Sequence, residues 1–297
     1  MLQNEPQSLS TFLEGNVDTN LSNLGQNGGV YIPPNEIALQ EETNLVNLRR
    51  TIYLTIMSGV DYKEAGDKLL QIMLEPCQEM ELCVMLLKCC SQERSYLLYY
   101  GLLGQRLCMI NRIHLENFEK CFVEQYSMIH QLETNVLRNV AKFFAHLLRT
   151  DALPWHCLAS IRLTEEDTTA SSRIFIKILF QELAEHLGIR LLNERLTDPA
   201  TQDFYDSILP RDTPRNTRFA INFFTSIGLG GITGNLREYL KHISRIIMQQ
   251  QKAASGSSGS DSVLELDSSE TEPVSESSSS ESESDHDERR KKKRRRN

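Results

Sequence analysis

The chain has 297 residues, of which 40% are apolar and 24% charged, with a formal net charge of −8. This composition is typical of a soluble globular protein with some polar flanking sequence. No run of about 18 uncharged apolar residues occurs, so the sequence predicts no membrane span. The seven cysteines are odd in number and lack zinc-site spacing, which favours buried free thiols over a secreted disulfide framework.

The net charge is distributed unevenly along the chain. Residues 1–42 hold six acids and no Lys or Arg, residues 43–254 hold 24 basic and 23 acidic residues, and residues 255–297 hold eleven acids followed by eight bases. A nearly neutral body is poor evidence for non-specific nucleic-acid binding, which depends on clustered cations. The charge pattern therefore carries functional information mainly in the tail.

Residues 1–42 are predicted to form a disordered lead-in. They are rich in Asn, Gln, Ser and Gly, contain Pro33-Pro34 and show no sustained apolar period. From about Thr43 the spacing of apolar residues becomes helical and stays so to about residue 252.

Helix start and stop signals recur along this body. Predicted starts are Asp61 with Glu64 three residues later, Thr164 before three acids, Thr213 before Pro214, and Thr233. Gly188 and Gly228 stand where C-terminal glycines are expected. We count about eleven helices and no convincing strand. Short connections favour antiparallel neighbours, so the predicted class is all-α, a HEAT-like antiparallel helix stack with disordered flanks.

Two segments support this class. Apolar residues follow an i, i+3, i+4, i+7 stripe at Leu137, Val140, Ala141, Phe144, Leu147 and Leu148. Residues 174–180 (IFIKILF) would suit a buried strand in isolation, but their acidic neighbours favour a long buried helix.

Motifs for catalysis, cofactors or metals are not evident. The glycines of residues 228–234 lack the Lys and the spacing of a phosphate loop, and a helix stop, tight turn and restart explains them better. The seven histidines are scattered and favour helix-surface or half-buried positions. Trp155 is expected to pack across a helix junction, with a binding hot spot as the alternative.

The tail, residues 253–297, is predicted to be disordered because it has few apolar residues. Each of four serines has an acid three residues later, which is the pattern of acidophilic kinase sites; they are Ser278, Ser280, Ser282 and Ser284. Phosphate on them would add negative charge next to the basic run. That run predicts a nuclear-import signal, and RNA contact is a second possible role. The alternative is a charged chain end that is simply solvated. The run comprises Arg289, Arg290, Lys291, Lys292, Lys293, Arg294, Arg295 and Arg296.

Long stretches of the body resemble a known family. Residues 44–70 resemble the opening of an MA-three domain, the helical module of translation initiation factor four G and its relatives. Further matching stretches include Tyr99–Leu103, Leu132–Leu148, Leu153–Trp155, Ser171–Phe175 and Pro214–Gly231. Over about residues 43–250 the chain is similar to the C-terminal half of the nucampholin (Cwc twenty-two) family of spliceosomal proteins.

The resemblance implies an MA-three domain at residues 43–160, a helical extension packed on it at residues 161–252, and a non-catalytic nuclear scaffold that docks onto spliceosome proteins. In the family an upstream domain holds a DEAD-box helicase of the exon-junction type. Residues 1–42 are too short and too polar to form that domain. Some MA-three domains bind helicases through acids at one end of the stack, and Glu79 and Glu81 are the candidates here, although acids also suit any helix N-terminus.

Two other functions remain open. A cytoplasmic translation-initiation scaffold binding an initiation helicase is the runner-up, and the basic C-terminus weighs against it. An enzyme would need a convergent polar pocket that the sequence does not indicate.

Overall fold

The computed structural model describes residues 34–76 and 78–255, with side chains for residues 40–76 and 78–250. Within these ranges there is no strand, and ten α-helices and four 3-10 helices are found. Contacts divide the chain into a compact unit of residues 1–249 and a second unit of residues 250–297, of which only residues 250–255 are described, as helix. The predicted all-α, HEAT-like class is confirmed.

The helices have the following bounds. The α-helices are α1 (Pro34–Ser58), α2 (Tyr62–Leu70), α3 (Glu79–Ser91), α4 (Leu98–Ile110), α5 (Arg112–Ser127), α6 (Thr134–Arg149), α7 (Ala170–Leu187), α8 (Ile189–Leu196), α9 (Pro214–Ser226) and α10 (Gly234–Ser255). The 3-10 helices are Ile129–Gln131, Trp155–Ser160, Gln202–Phe204 and Gly230–Thr233.

One layer of the stack contains α2 and α4, which run in the same direction. Gly59, just before α2, lies against Tyr99 at the start of α4. Asp67, near the end of α2, forms an ion pair with Arg106, near the end of α4. Both helices therefore end at the same end of the stack.

The other layer contains α1, α3 and α5. The sulfur of Cys83, near the start of α3, lies 4.0 Å from Nδ1 of His114, near the start of α5. Helix α1 packs along α3, and an ion pair between Arg49 of α1 and Glu81 of α3 joins the two helices. Each helix of this layer also contacts its chain neighbour in the first layer, which is the antiparallel arrangement of a HEAT-like stack.

Helix α6 forms much of the core. Its predicted stripe is buried, and each of the six side chains is at most 2% exposed. The ring of Phe122 on α5 packs edge-on against Phe144 at 5.0 Å and lies 6.2 Å from Phe175 on α7. Burial of each ring contributes about 1.5–3 kcal/mol. Because α6 and α7 pack along each other within one compact unit, the division at residue 160 stays a prediction.

Two helix starts were predicted wrongly. Helix α1 begins at Pro34, not near Thr43, so residues 34–42 of the lead-in are helical. A helix anchored by the buried side chains of Ile52 and Ile56 extends backwards at little cost, since each added residue gains a hydrogen bond, and proline is tolerated in its first turn. The predicted disorder of residues 1–33 and 256–297 lies outside the described residues.

Thr164 does not start a helix. Its hydroxyl accepts a hydrogen bond from the backbone N–H of Asp167 at 3.0 Å and closes a turn. Helix α7 begins five residues later than predicted, where Thr169 and Ser172 form a reciprocal capping box. The starts predicted at Asp61 and Thr213 are confirmed, because both side chains accept hydrogen bonds from first-turn N–H groups.

Candidate functional site

Glu81 is engaged within the fold. Its carboxylate accepts two hydrogen bonds from Arg49, Nε to Oε2 at 2.7 Å and Nη2 to Oε1 at 3.0 Å. The two side chains are only 19% and 12% exposed. This bidentate pair joins α1 to α3, so a partner that engaged the carboxylate of Glu81 would have to compete with Arg49.

Glu79 lies at the N-terminus of α3 and is half-buried. Burial lowers the pKa of His114, the buried histidine of α5, and the negative charge of Glu79 partly offsets this effect. No hydrogen bond or ion pair of its carboxylate is found among the described residues. Of the two acids predicted from the sequence, Glu79 is therefore the one whose carboxylate remains accessible to a partner.

Exposed apolar side chains surround this end of the stack. They lie at the end of α2 and in the connection that follows it, at the end of the neighbouring α4, and at the start of α5, where the charge of Glu79 acts on His114. We call this set the apolar end surface; it comprises Leu70, Met73, Met109, Ile110 and Ile113. Met73 is 93% exposed and Met109 is 74% exposed. Apolar side chains gathered in this way are typical of protein interaction sites.

The apolar end surface was not predicted from the sequence. Its members come from three separate segments, and a helical pattern shows which face is buried but not which exposed residues meet. A usable signal was the placement of Met73 in the connection between two helices, where a polar residue is more usual.

The cysteines are consistent with structural rather than catalytic roles. The six described cysteines are free and buried, as predicted, whereas Cys77 lies outside the described residues. Burial raises the pKa of Cys89, Cys108 and Cys121 to about 12 in each case. A thiol with such a pKa stays protonated near neutral pH and is a poor nucleophile.

A cysteine and a histidine meet in the core, where Cys83 lies beside His114. Burial raises the pKa of the Cys83 thiol and lowers that of the His114 imidazole. Both groups are therefore neutral at pH 7, the opposite of the thiolate and imidazolium that a cysteine nucleophile needs. The pair packs α3 against α5.

The buried side chain of His146, on α6, forms a hydrogen bond to α4. Its Nδ1 accepts a hydrogen bond from Arg149 at 2.9 Å, because a guanidinium only donates, and its Nε2 donates to Gln105 Oε1 at 3.0 Å. Burial, with Arg149 and His186 adding positive charge, lowers its pKa from 6.5 to about 4. The predicted surface or half-buried position is wrong for His146 and for His114, each of which is only 3% exposed.

The glycine-rich segment is a helix stop and restart, as predicted. Gly228 has a φ of 84°. The N–H groups of Gly228 and Leu229 donate to the carbonyl oxygens of Thr225 and Phe224, which closes the end of α9 as a Schellman motif. The segment therefore serves as a helix terminator.

Trp155 packs across a junction, as the sequence predicts. Its ring is 8% exposed, and its Nε1 donates to the carbonyl of Leu148 at 2.9 Å. The guanidinium of Arg195 lies 5.1 Å from the ring centroid, and Tyr205 meets the ring edge-on. This packing leaves little of Trp155 for a partner.

The other predicted sites lie outside the described residues. They are the four serines Ser278, Ser280, Ser282 and Ser284, and the basic run of residues 289–296. In the part of the chain that the structure describes, His, Cys, Asp and Glu form no group able to hold a metal ion. Over the same residues, no helix has the length and apolar character needed to cross a membrane.

Comparison with known proteins identifies relatives of the folded body. The MA3 domain family matches residues 48–154. The pre-mRNA-splicing factor CWC22 homologue of Mus musculus is 55% identical to the chain over 226 residues, which cover 74% of this chain and 25% of that protein. The homologue of Homo sapiens is 55% identical over 221 residues, which cover 74% of this chain and 24% of that protein. Pre-mRNA-splicing factor CWC22 of Mycosarcoma maydis is 48% identical over 227 residues, 76% of this chain and 26% of that protein. The chain thus spans about a quarter of the length of the curated relatives it matches.

Proposed function

Because the chain is a homologue of the CWC22 pre-mRNA-splicing factors and contains an MA3 domain, we propose that it is a non-catalytic scaffold that acts in pre-mRNA splicing by docking onto spliceosome proteins. The observation that carries this proposal is the 55% identity over 226 residues. Such identity supports a shared fold and shared surfaces in this part of the chain.

The chemistry of the body supports a scaffold over an enzyme. Its described thiols are buried and protonated, and the Cys83–His114 pair is neutral. Catalysis by a nucleophile or general base needs reactive groups in a cleft with matched pKa values. What the body exposes instead is apolar side chains, among them those of the apolar end surface beside Glu79.

The proposal places the protein in the nucleus, where splicing occurs. The eight consecutive bases of residues 289–296 support this location, because such runs serve as import signals. Binding of a DEAD-box helicase is a narrower possibility within the proposal, for which Glu79 is the accessible acid. A translation-initiation scaffold is the competing interpretation.

Purification of a tagged copy from nuclear extract, with and without RNase, tests the proposal. We expect core spliceosome proteins, identified by mass spectrometry, to be recovered in both samples, because the contacts are made by protein. Recovery of initiation factors in their place would favour the competing interpretation. Loss of every spliceosome protein on RNase treatment would contradict direct docking and would indicate that the protein associates with them through RNA.

A further inference from the structure

A cleft of about 780 Å³ opens between α10 and the segment that joins α8 to α9. Its lining includes three permanent cations, Arg211 from the connecting segment and Lys241 and Arg245 from α10, together with His242. Glu238 is the one carboxylate among the lining residues. We call this the basic cleft.

The cations of the basic cleft are not neutralised within the described part of the chain. Lys241 and Arg245 are exposed and form no ion pair there. With the amide of Gln202 turned so that its oxygen accepts, Nη1 of Arg211 donates to it at 2.7 Å, and this neutral partner leaves the charge of Arg211 uncompensated. The buried Nε of Arg211 has no hydrogen-bond partner among the residues that the structure describes. The donors that an incoming acceptor can reach are therefore those of the exposed Lys241 and Arg245, while Arg211 adds its positive charge from the side of the connecting segment.

The cleft has a defined shape. The hydroxyl of Tyr239 donates to the backbone carbonyl of Arg211, which holds α10 against the connecting segment. Lys241 and Arg245 are four residues apart and therefore lie one above the other on one face of α10. The cleft therefore has one side held in place by Tyr239 and a pair of aligned cations on α10.

We propose that the basic cleft binds a phosphorylated acidic peptide of a partner protein. A phosphoserine carries about −1.5 to −2 charges and three acceptor oxygens, which matches an excess of cations over one carboxylate. Guanidinium groups bind phosphate with two parallel hydrogen bonds. The exposed Ile246 and Ile247 continue α10 beyond the cleft and offer contact to an apolar side chain next to the phosphate.

A peptide fits these observations better than RNA. RNA binding needs many cations along a track and aromatic faces on which bases stack. Residues 43–254 hold 24 basic and 23 acidic residues, so the body as a whole is almost neutral. The aromatic ring of the cleft, Tyr239, is half-buried and its hydroxyl is already engaged. The cations are therefore local to one pocket.

Fluorescence anisotropy on the full chain tests this inference. The probes are a labelled acidic phosphoserine peptide, the same peptide without phosphate, and an oligouridine. We expect the double variant K241E/R245E to weaken binding of the phosphopeptide by about tenfold or more, since two of the three permanent cations are reversed. The milder K241Q/R245Q should weaken it less and guards against a folding defect, which circular dichroism would reveal.

The matched control is K177E/R218E, which makes the same change in net charge at two exposed side chains without ion pairs among the described residues. We expect it to leave phosphopeptide binding within about twofold of the parent. The basic run of residues 289–296 would itself attract an acidic peptide, so all of these variants are made in a chain that carries glutamine at those eight positions, and the comparison then reports on the cleft. The test uses pure protein and is independent of the proposed splicing role.

Three results would overturn the inference. One is binding of the phosphopeptide no tighter than that of its unphosphorylated form. Another is an equal loss in K177E/R218E, which would indicate a net-charge effect. The third is tighter binding of oligouridine that K241E/R245E abolishes, which would make the cleft a nucleic-acid site.

Discussion

Asp151 and Arg195 join the MA3-matched region of the fold to the helices that follow it. Asp151 is the left-handed residue that ends α6, with a φ of 54°, and Nη2 of Arg195 donates to its Oδ2 at 2.8 Å, while Nη1 donates to Oδ1. The same guanidinium stacks on Trp155. The pKa of the Asp151 carboxyl is lowered, chiefly by the hydrogen bonds from Arg195. One arginine therefore connects the end of α6, the 3-10 helix Trp155–Ser160 and α8.

Replacing Arg195 by Ala should lower the free energy of unfolding by about 1–2 kcal/mol. The ion pair, whose carboxylate is largely exposed, contributes about 0.2–1 kcal/mol, and the contact with Trp155 a similar amount. Urea unfolding measures the change. The control is R190A on the same helix, which removes only an exposed pair with Glu194 and should change the stability less. Equal effects of the two variants would show that the contact with Trp155 adds nothing.

Glu81→Gln should destabilise the protein, whereas Glu79→Gln should not. Gln keeps one acceptor oxygen for Arg49 and puts an NH2 group against the other donor. One hydrogen bond is therefore weakened and the other lost in a largely buried site, so we expect a loss of about 1–3 kcal/mol. Glu79 makes no such contact, and its variant should stay within about 0.5 kcal/mol of the parent. Thermal unfolding followed by circular dichroism compares them. A larger loss in E79Q than in E81Q would contradict this assignment of roles.

Acidification should destabilise the folded state through His146. Its pKa is about 4 in the folded protein and 6.5 in its ordinary state, so the unfolded chain binds the proton first. Stability is therefore complete above about pH 6.5 and falls as pH decreases from 6.5 to 4, by up to about 1.4 kcal/mol per pH unit. His114, with a pKa also lowered by burial, adds to the slope with the same sign.

Urea midpoints between pH 7 and pH 5 measure this slope, and H146Q should reduce it by close to one proton's contribution. H130Q, at an exposed histidine, is the matched control. The assignment to His146 fails if the two variants lose the same slope, whatever their stability at pH 7.

Charge at the apolar end surface should weaken docking without unfolding the protein. Met73 and Met109 are both exposed, so M73D/M109D removes apolar contact area at little cost to the core. We expect recovery of spliceosome proteins to fall severalfold. V60D is the control, because Val60 is 89% exposed and lies before α2 at the opposite end of that helix. Unchanged recovery with M73D/M109D would exclude this surface as the docking site.

Several local features were correctly predicted from the sequence. The capping side chains of Asp61 and Thr213, and the helix-ending Gly228, act over three to five residues, and the chemistry of such short segments is visible in the chain itself. The helix starts predicted near Thr43 and at Thr164 were wrong, because local signals alone did not decide them. Near Thr43 the helix extends backwards from its buried part, and after Thr164 a second cap, at Thr169, starts the helix instead.

The sequence by itself determined the all-α class, the buried stripe of α6 and the free thiols, because helical period and burial preference are properties of neighbouring residues. Only the tertiary structure decided that Glu81 is engaged by Arg49, 32 residues away, while Glu79 is left accessible. It also decided that Arg211 meets Lys241 and Arg245 in one cleft. Such pairings follow from how whole helices pack against each other, and no local pattern encodes that packing.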